Sequence, residues 1–151
     1  MNALMNAGMN DSGRVESMRL HWRDEYSVNV QSFDLHHRNL IVHANAVFDA
    51  IANGNDPDAV QDSFTQLIDV ARLHFRDEEQ LLERYDAPGL EPHHAKHERL
   101  IAQLADIKQR YRNGDVDNMV ELATVLREWV VGHILADDRR SAAMLNAKGV
   151  F

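Results

Sequence analysis

Histidine and carboxylate pairs one helical turn apart, each set in an apolar stripe, constrain this chain more than any other feature. His74 and Glu78 are four residues apart, as are His93 and His97, and His133 is followed by Asp137 and Asp138. A helix turns by about 100° per residue, so side chains at i and i+4 lie on one face, one turn apart. Each pair can therefore reach a single ion from a single helix. His37, on a separate stripe upstream, completes a set of seven candidate metal ligands drawn from four segments, with one of the two aspartates counted.

The stripes themselves predict the fold. Leu40, Ile41, Ala44, Val47, Phe48 and Ile51 share a helical face with His37. Phe64, Leu67, Ile68, Ala71, Phe75, Leu81, Leu82 and Tyr85 do so with His74 and Glu78. Leu100, Ile101, Leu104 and Ile107 follow His93 and His97, and Leu122, Val125, Leu126, Trp129 and Val130 lead to His133. Turn residues separate these runs. The first helix is expected from Ser32 or Asp34 to Asn53-Gly54, and the second opens at Asp56-Pro57, a cap followed by proline at the first helical position. Ala87-Pro88-Gly89 breaks the chain, the third helix runs from about Glu91-Pro92 to Asn113-Gly114, and the fourth follows Asp115 or Asp117. Short connections between long helices imply an all-α, up-down-up-down antiparallel four-helix bundle. It should occupy residues 21–151, with residues 21–31 as an N-terminal arm whose Trp22, Tyr26, Val28 and Val30 fold back onto the bundle, and the Met-, Asn- and Gly-rich residues 1–20 as a disordered leader.

Composition narrows the chemistry. The chain has 151 residues, enough for one domain, and no cysteine, so thiolate zinc sites and iron–sulfur clusters are excluded. Any metal must be held by imidazole and carboxylate. A net charge of −8 without a basic run argues against a nucleic-acid partner. No apolar run reaches the ~18 residues of a membrane span, and residues 1–10 lack the basic and apolar regions of a signal peptide, so a cytoplasmic protein is expected.

A lone histidine on an apolar stripe is ordinarily a hydrogen-bonded core residue. Five of them with two carboxylates are different, because unpaired buried ionisable groups cost about several kcal/mol each. Seven ligands are too many for one tetrahedral ion. Two ions sharing two carboxylates and a solvent-derived oxygen accommodate them, three histidines on one and two on the other, and leave one ion with a vacancy. Iron, manganese, copper and zinc all suit this donor set.

The combination Phe33-Asp34-Leu35-His36-His37, His74-Phe75-x-x-Glu78-Glu79, Pro88-Gly89-Leu90, His93-x-x-x-His97 and Trp129-x-x-x-His133-Ile134-x-x-x-Asp138, preceded by Trp22…Tyr26-Ser27-Val28, resembles the bacterial hemerythrins from Trp22 to the last helix. The resemblance implies two iron ions joined by an oxo or hydroxo bridge. His93, His97 and His133 would hold the filled iron, His37 and His74 the iron with an open position, and Glu78 and Asp138 would bridge. It also implies reversible dioxygen binding for storage, delivery or sensing, without catalytic residues. The alternatives are a di-iron oxidase, a peroxide or nitric oxide scavenger, and an iron sensor or buffer. Phe75, Leu100 and Val130 are expected to line the ligand pocket. Leu100 and Val130 stand where Phe and Leu are common in that family, and His36 where Gln is usual.

Asp137 and Asp138 compete for the bridging role. In a regular helix Asp137 lies about 40° from His133 and Asp138 about 140°. A regular continuation, however, turns Arg140 inward with Ser141 and Met144. If one residue is looped out after His133, the inward set becomes Asp138, Ser141, Ala142 and Leu145, and Arg139 and Arg140 face water. Burying an unpaired guanidinium costs more than one π-type bulge. A wide turn is therefore expected, with Asp138 inward and Asp137 in solvent. His21 is expected in the arm and His94 in solvent, His36 and His43 flanking the stripe either on the surface or against the ligands, and Arg76, Asp77 and Glu79 on the wet face of the second helix.

Overall fold

Capping residues isolate the stripes as α1 (Gln31–Ala52), α2 (Pro57–Arg84), α3 (Leu90–Arg112) and α4 (Met119–Gly132), the last continuing through a wide turn (His133–Asp138) into α5 (Arg139–Asn146). The structure is a computed structural model that describes residues 18–54, 56–115 and 119–151. Helix α1 packs on α2, α2 on α3, and α1 on α4. With α4 and α5 counted as one rod, this is an antiparallel four-helix bundle, and no strand occurs among the described residues. None of the described helices is long and apolar enough to cross a membrane.

The boundaries have local causes. The Asp56 side chain accepts from the backbone N–H groups of Asp58 and Ala59, and Pro57 occupies the first helical position, where its missing donor costs nothing. Helix α1 ends at Asn53 with Gly54 at φ 91°, a left-handed stop that a side chain resists. The start expected for the fourth helix at Asp117 lies outside the described residues.

The arm folds back onto the bundle as expected, with Val28 and Val30 buried and Trp22 and Tyr26 packed against the core. Asn45 is buried on α1, and its amide accepts from the Leu20 N–H at 2.9 Å and donates to the Leu20 carbonyl at 2.8 Å. Leu20 is itself buried, so packing reaches back into the stretch expected as a leader. Residues 1–17, the remainder of that stretch, lie outside the described residues. Asp34 does not cap α1. It sits in its first turn and accepts from Val28 N–H at 2.9 Å and Ser27 Oγ–H at 2.6 Å. The Arg38 guanidinium lies 4.5 Å from the centre of the Trp22 ring.

Two apolar clusters fill the bundle. The larger contains Leu40, Ala71, Phe75, Ile101, Leu126 and Val130, and the smaller contains Val28, Phe33, Leu82, Ala142 and Leu145. Each long helix that contributes to both changes cluster across its candidate ligands. Helix α1 passes from Phe33 through His37 to Leu40, and α2 passes from Ala71 through His74 and Glu78 to Leu82. The polar layer is thus walled by hydrocarbon above and below. Replacing Asn45 with alanine removes both bonds to Leu20 and leaves two buried backbone groups unpaired. It should lower the urea-unfolding stability of the metal-free protein by about 1–3 kcal/mol. An unchanged midpoint would mean that the arm contributes nothing to the bundle.

Candidate metal centre

Helix α2 supplies the centre of the layer. His74 and Glu78 follow each other by one turn and are 1% and 0% exposed. His37 on α1, His97 on α3, and His133 and Asp138 on the last rod are buried against them. His93, one turn before His97, is only partly buried, with 16% of its side chain exposed.

The wide turn decides which aspartate joins. From His133 to Asp138 the backbone takes the π form, which inserts an additional residue into the helical repeat. Asp138, Ser141, Ala142 and Leu145 are all buried beyond it, whereas Arg139 and Arg140 are exposed. The register argued from the arginines is the one observed. Asp137, however, is not in solvent. Only 11% of its side chain is exposed, it pairs with Lys96 of α3, and it lies 3.5 Å from His133 Nδ1. The turn that brings Asp138 inward leaves Asp137 at the seam with α3 rather than on the open surface.

Carboxylate oxygens and ring nitrogens converge tightly. Asp138 Oδ2 is 2.5 Å from His37 Nε2, 2.7 Å from His74 Nε2 and 3.0 Å from His133 Nε2. Glu78 Oε1 is 2.5 Å from His93 Nε2, while Oε2 is 3.5 Å from His97 Nε2 and 3.7 Å from His74 Nε2. Two overlapping groups have one ligand atom per residue within 4.8 Å of one another: His37, His74, His133 and Asp138, and Glu78, His97, His133 and Asp138. His133 and Asp138 belong to both groups, and His93 adjoins the second through Glu78. Glu78 Oε2, His97 Nε2 and Asp138 Oδ1 are buried without a hydrogen-bond partner. Buried polar atoms are rarely left so, and a cation between these groups satisfies all three. The residues present fit a metal.

Electrostatics point the same way. Burial and the charge of Asp138 both push the Glu78 carboxyl up, but the hydrogen bond from His93 and the nearby imidazoles of His97 and His74 bring it below its ordinary value. Burial also opposes ionisation of Asp138, yet His133 and His74 hold it well below the usual carboxylate range. Burial would lower His133, but the charge of Asp138, with Asp137 beside it, raises the imidazole to about 10. His74 moves the other way because burial dominates. Without metal, protons on imidazole therefore neutralise two ionised, buried carboxylates. Metal loading must displace them.

Several partners of the ligands escaped sequence reasoning. Glu79, expected on the wet face of α2, is 21% exposed and accepts from His97 Nδ1–H at 2.9 Å as well as from His94 at 2.8 Å. Its adjacency to Glu78 turns it toward α3, and the available signal was a second carboxylate beside the first. His36 lies 3.1 Å from His74, ring nitrogen to ring nitrogen. Of the expected pocket residues, Phe75 stacks on His97 with centroids 4.0 Å apart and meets His133 edge-on at 4.9 Å. Val130 is completely buried. Leu100 borders a groove between α3 and α4 that Trp129 and His133 also line, and its carbonyl accepts from the Trp129 indole at 3.0 Å.

The two aspartates should behave differently on substitution. Asp138→Ala removes the one side chain whose oxygen meets three imidazoles, so metal should be lost on dialysis. Asp137→Ala removes only an outer partner of His133 and should keep the metal at an affinity weakened by about 10–100-fold in chelator competition. Metal lost only from the Asp137 variant would contradict the observed register.

The hemerythrin HHE cation-binding domain model matches residues 28–145, the stretch that carries every candidate ligand. The chain is 30% identical over 126 residues to a bacteriohemerythrin of Stenotrophomonas maltophilia, covering 83% of this chain and 81% of that protein. It is 26% identical over 123 residues to one from Methylococcus capsulatus, covering 82% and 93%. A wild-type hemerythrin crystal structure superposes with a TM-score of 0.71 at 24% identity, covering 82% of this chain and 95% of the other. The four-helix bundle, the layer of imidazoles and carboxylates and the match along residues 28–145 agree, and the chain belongs to the hemerythrin family.

Proposed function

We infer that this protein binds dioxygen reversibly at a non-haem di-iron centre. His93, His97 and His133 would hold one ion, His37 and His74 the other, and Glu78 and Asp138 would join them with an oxo or hydroxo bridge. The observation that carries the reading is the pair of overlapping buried groups that share His133 and Asp138. Iron held by imidazole and carboxylate supplies an open coordination position and the electrons that dioxygen binding needs.

The protein's own contribution is to hold and to shield. Phe75 covers His97 and His133 on one side of the layer, and Phe33 lies edge-on to His74 at 5.8 Å on another. Apolar walls of this kind limit water and raise the strength of every charge interaction inside. Glu79, bonded behind His97, fixes that ring's orientation, and the charges of Glu79 and of Asp137 behind His133 increase ligand basicity. These are features of a binding site, and binding rather than turnover is the function proposed, with dioxygen as the small-molecule partner of a cytoplasmic protein.

The test is optical. Iron-loaded protein, reduced under nitrogen and then exposed to air, should develop a visible absorption band that disappears on degassing and returns with fresh air. Irreversible bleaching with release of peroxide would overturn reversible binding and favour an oxidase.

A further inference from the structure

A histidine that gives the lone pair of one ring nitrogen to a metal carries its proton on the other nitrogen, and the partner of that N–H sets the tautomer, orientation and basicity of the ligand. The partners differ sharply around this centre. Carboxylates stand behind two imidazoles: Glu79 accepts from His97 Nδ1–H at 2.9 Å, and Asp137 Oδ2 lies 3.5 Å from His133 Nδ1 without a hydrogen bond between them. His37 Nδ1 is buried without a partner. Behind His74 stands another histidine. His74 directs Nε2 into the layer, 2.7 Å from Asp138 Oδ2, and its Nδ1 is 3.1 Å from His36 Nδ1. The two rings meet edge-on, with centroids 5.2 Å apart and planes at 71°. The far side of His36, Nε2, is 3.6 Å from Asp77 Oδ2, where the side chains are 26% and 38% exposed.

We propose that His36 is a positioning residue for His74, accepting its Nδ1–H, with the Asp77 carboxylate near enough to favour the remaining His36 proton on Nε2. The inference rests on the di-iron reading. Once His74 Nε2 faces a cation, its single proton must sit on Nδ1 and donate to His36. That requires a bare Nδ1 on His36 and places the His36 proton on Nε2, toward Asp77. One constraint, the metal, orders all three side chains.

A consequence follows for the two metal positions. A carboxylate accepts from His97 and the charge of another lies 3.5 Å from His133, whereas His74 meets a neutral acceptor and His37 Nδ1 has no hydrogen-bond partner. The ion held by His37 and His74 is therefore the weaker-bound of the two, and His36 is the side chain that keeps its affinity from falling further.

The experiment uses the full chain, loaded with zinc as a diamagnetic probe. Chelator titration of the unmodified protein should release zinc in two steps. His36→Leu should weaken the looser step by about 10–100-fold and leave the tighter one unchanged. His36→Gln can accept from His74 and donate toward Asp77, and should restore the unmodified behaviour. Nitrogen-15 NMR of the zinc-loaded, unmodified protein gives a readout that does not depend on either variant folding: His74 should be protonated on Nδ1 and His36 on Nε2. A proton on His36 Nδ1, or equal weakening of both steps by His36→Leu, would overturn the proposal. Release of a single zinc ion from the unmodified protein would instead count against the two-ion reading, and the tautomers of His36 and His74 would still decide whether His36 positions His74.

Discussion

Glu78 and Asp138 are both fully buried, both hold their carboxyls below their ordinary values, and the charge of Asp138 raises the cost of ionising Glu78. Two like charges in a layer walled by Phe33, Phe75, Leu82 and Val130 need cations between them, and the rest of the structure answers that need. Imidazoles from four helices point at the two carboxylates because each occupies the inward stripe of its helix. Removing one partner from such a buried arrangement costs about 3–5 kcal/mol, so the layer is tied to its counter-charge. In the metal-free protein that counter-charge is protons, carried notably by His133 with its imidazole raised to about 10. A metal replaces them with more charge and directional bonds.

The wide turn at His133–Asp138 is the backbone's part in this arrangement. A regular helix would present Asp137 beside His133 and would turn Arg140 toward the smaller apolar cluster. The inserted residue lets both His133 and Asp138 reach the layer and resets α5 so that Ala142 and Leu145 seal its far side. One local irregularity thus serves the site and the packing together. It also sets Asp137 at the seam with α3, where Lys96 pairs with it.

Much of this was readable in the chain. The stripes, the caps at Asp56-Pro57 and Asn53-Gly54, and the i, i+4 pairs are local signals, and local signals survive folding. The wide turn was legible because Arg139 and Arg140 exclude the regular register. What escaped was set by neighbouring helices. Asp137 and Glu79 look solvated on their own helices, and only the approach of α3, with Lys96 and His97, covers them. For His36, beside the stripe, the sequence left open a surface position or a place against the ligands, and the approach of α2 with His74 decides for the latter. The packing of Leu20 on Asn45 is likewise a contact across 25 residues that no periodicity announces.

The central claim is that two ions share Glu78 and Asp138. Anomalous diffraction at the iron absorption edge, from crystals of the loaded protein, tests it most directly. The account predicts two peaks per chain, each within bonding distance of one Asp138 oxygen and one Glu78 oxygen, with His37 and His74 at one peak and His93, His97 and His133 at the other. A single peak, or two peaks bridged by Asp137 with Asp138 turned away, would contradict it.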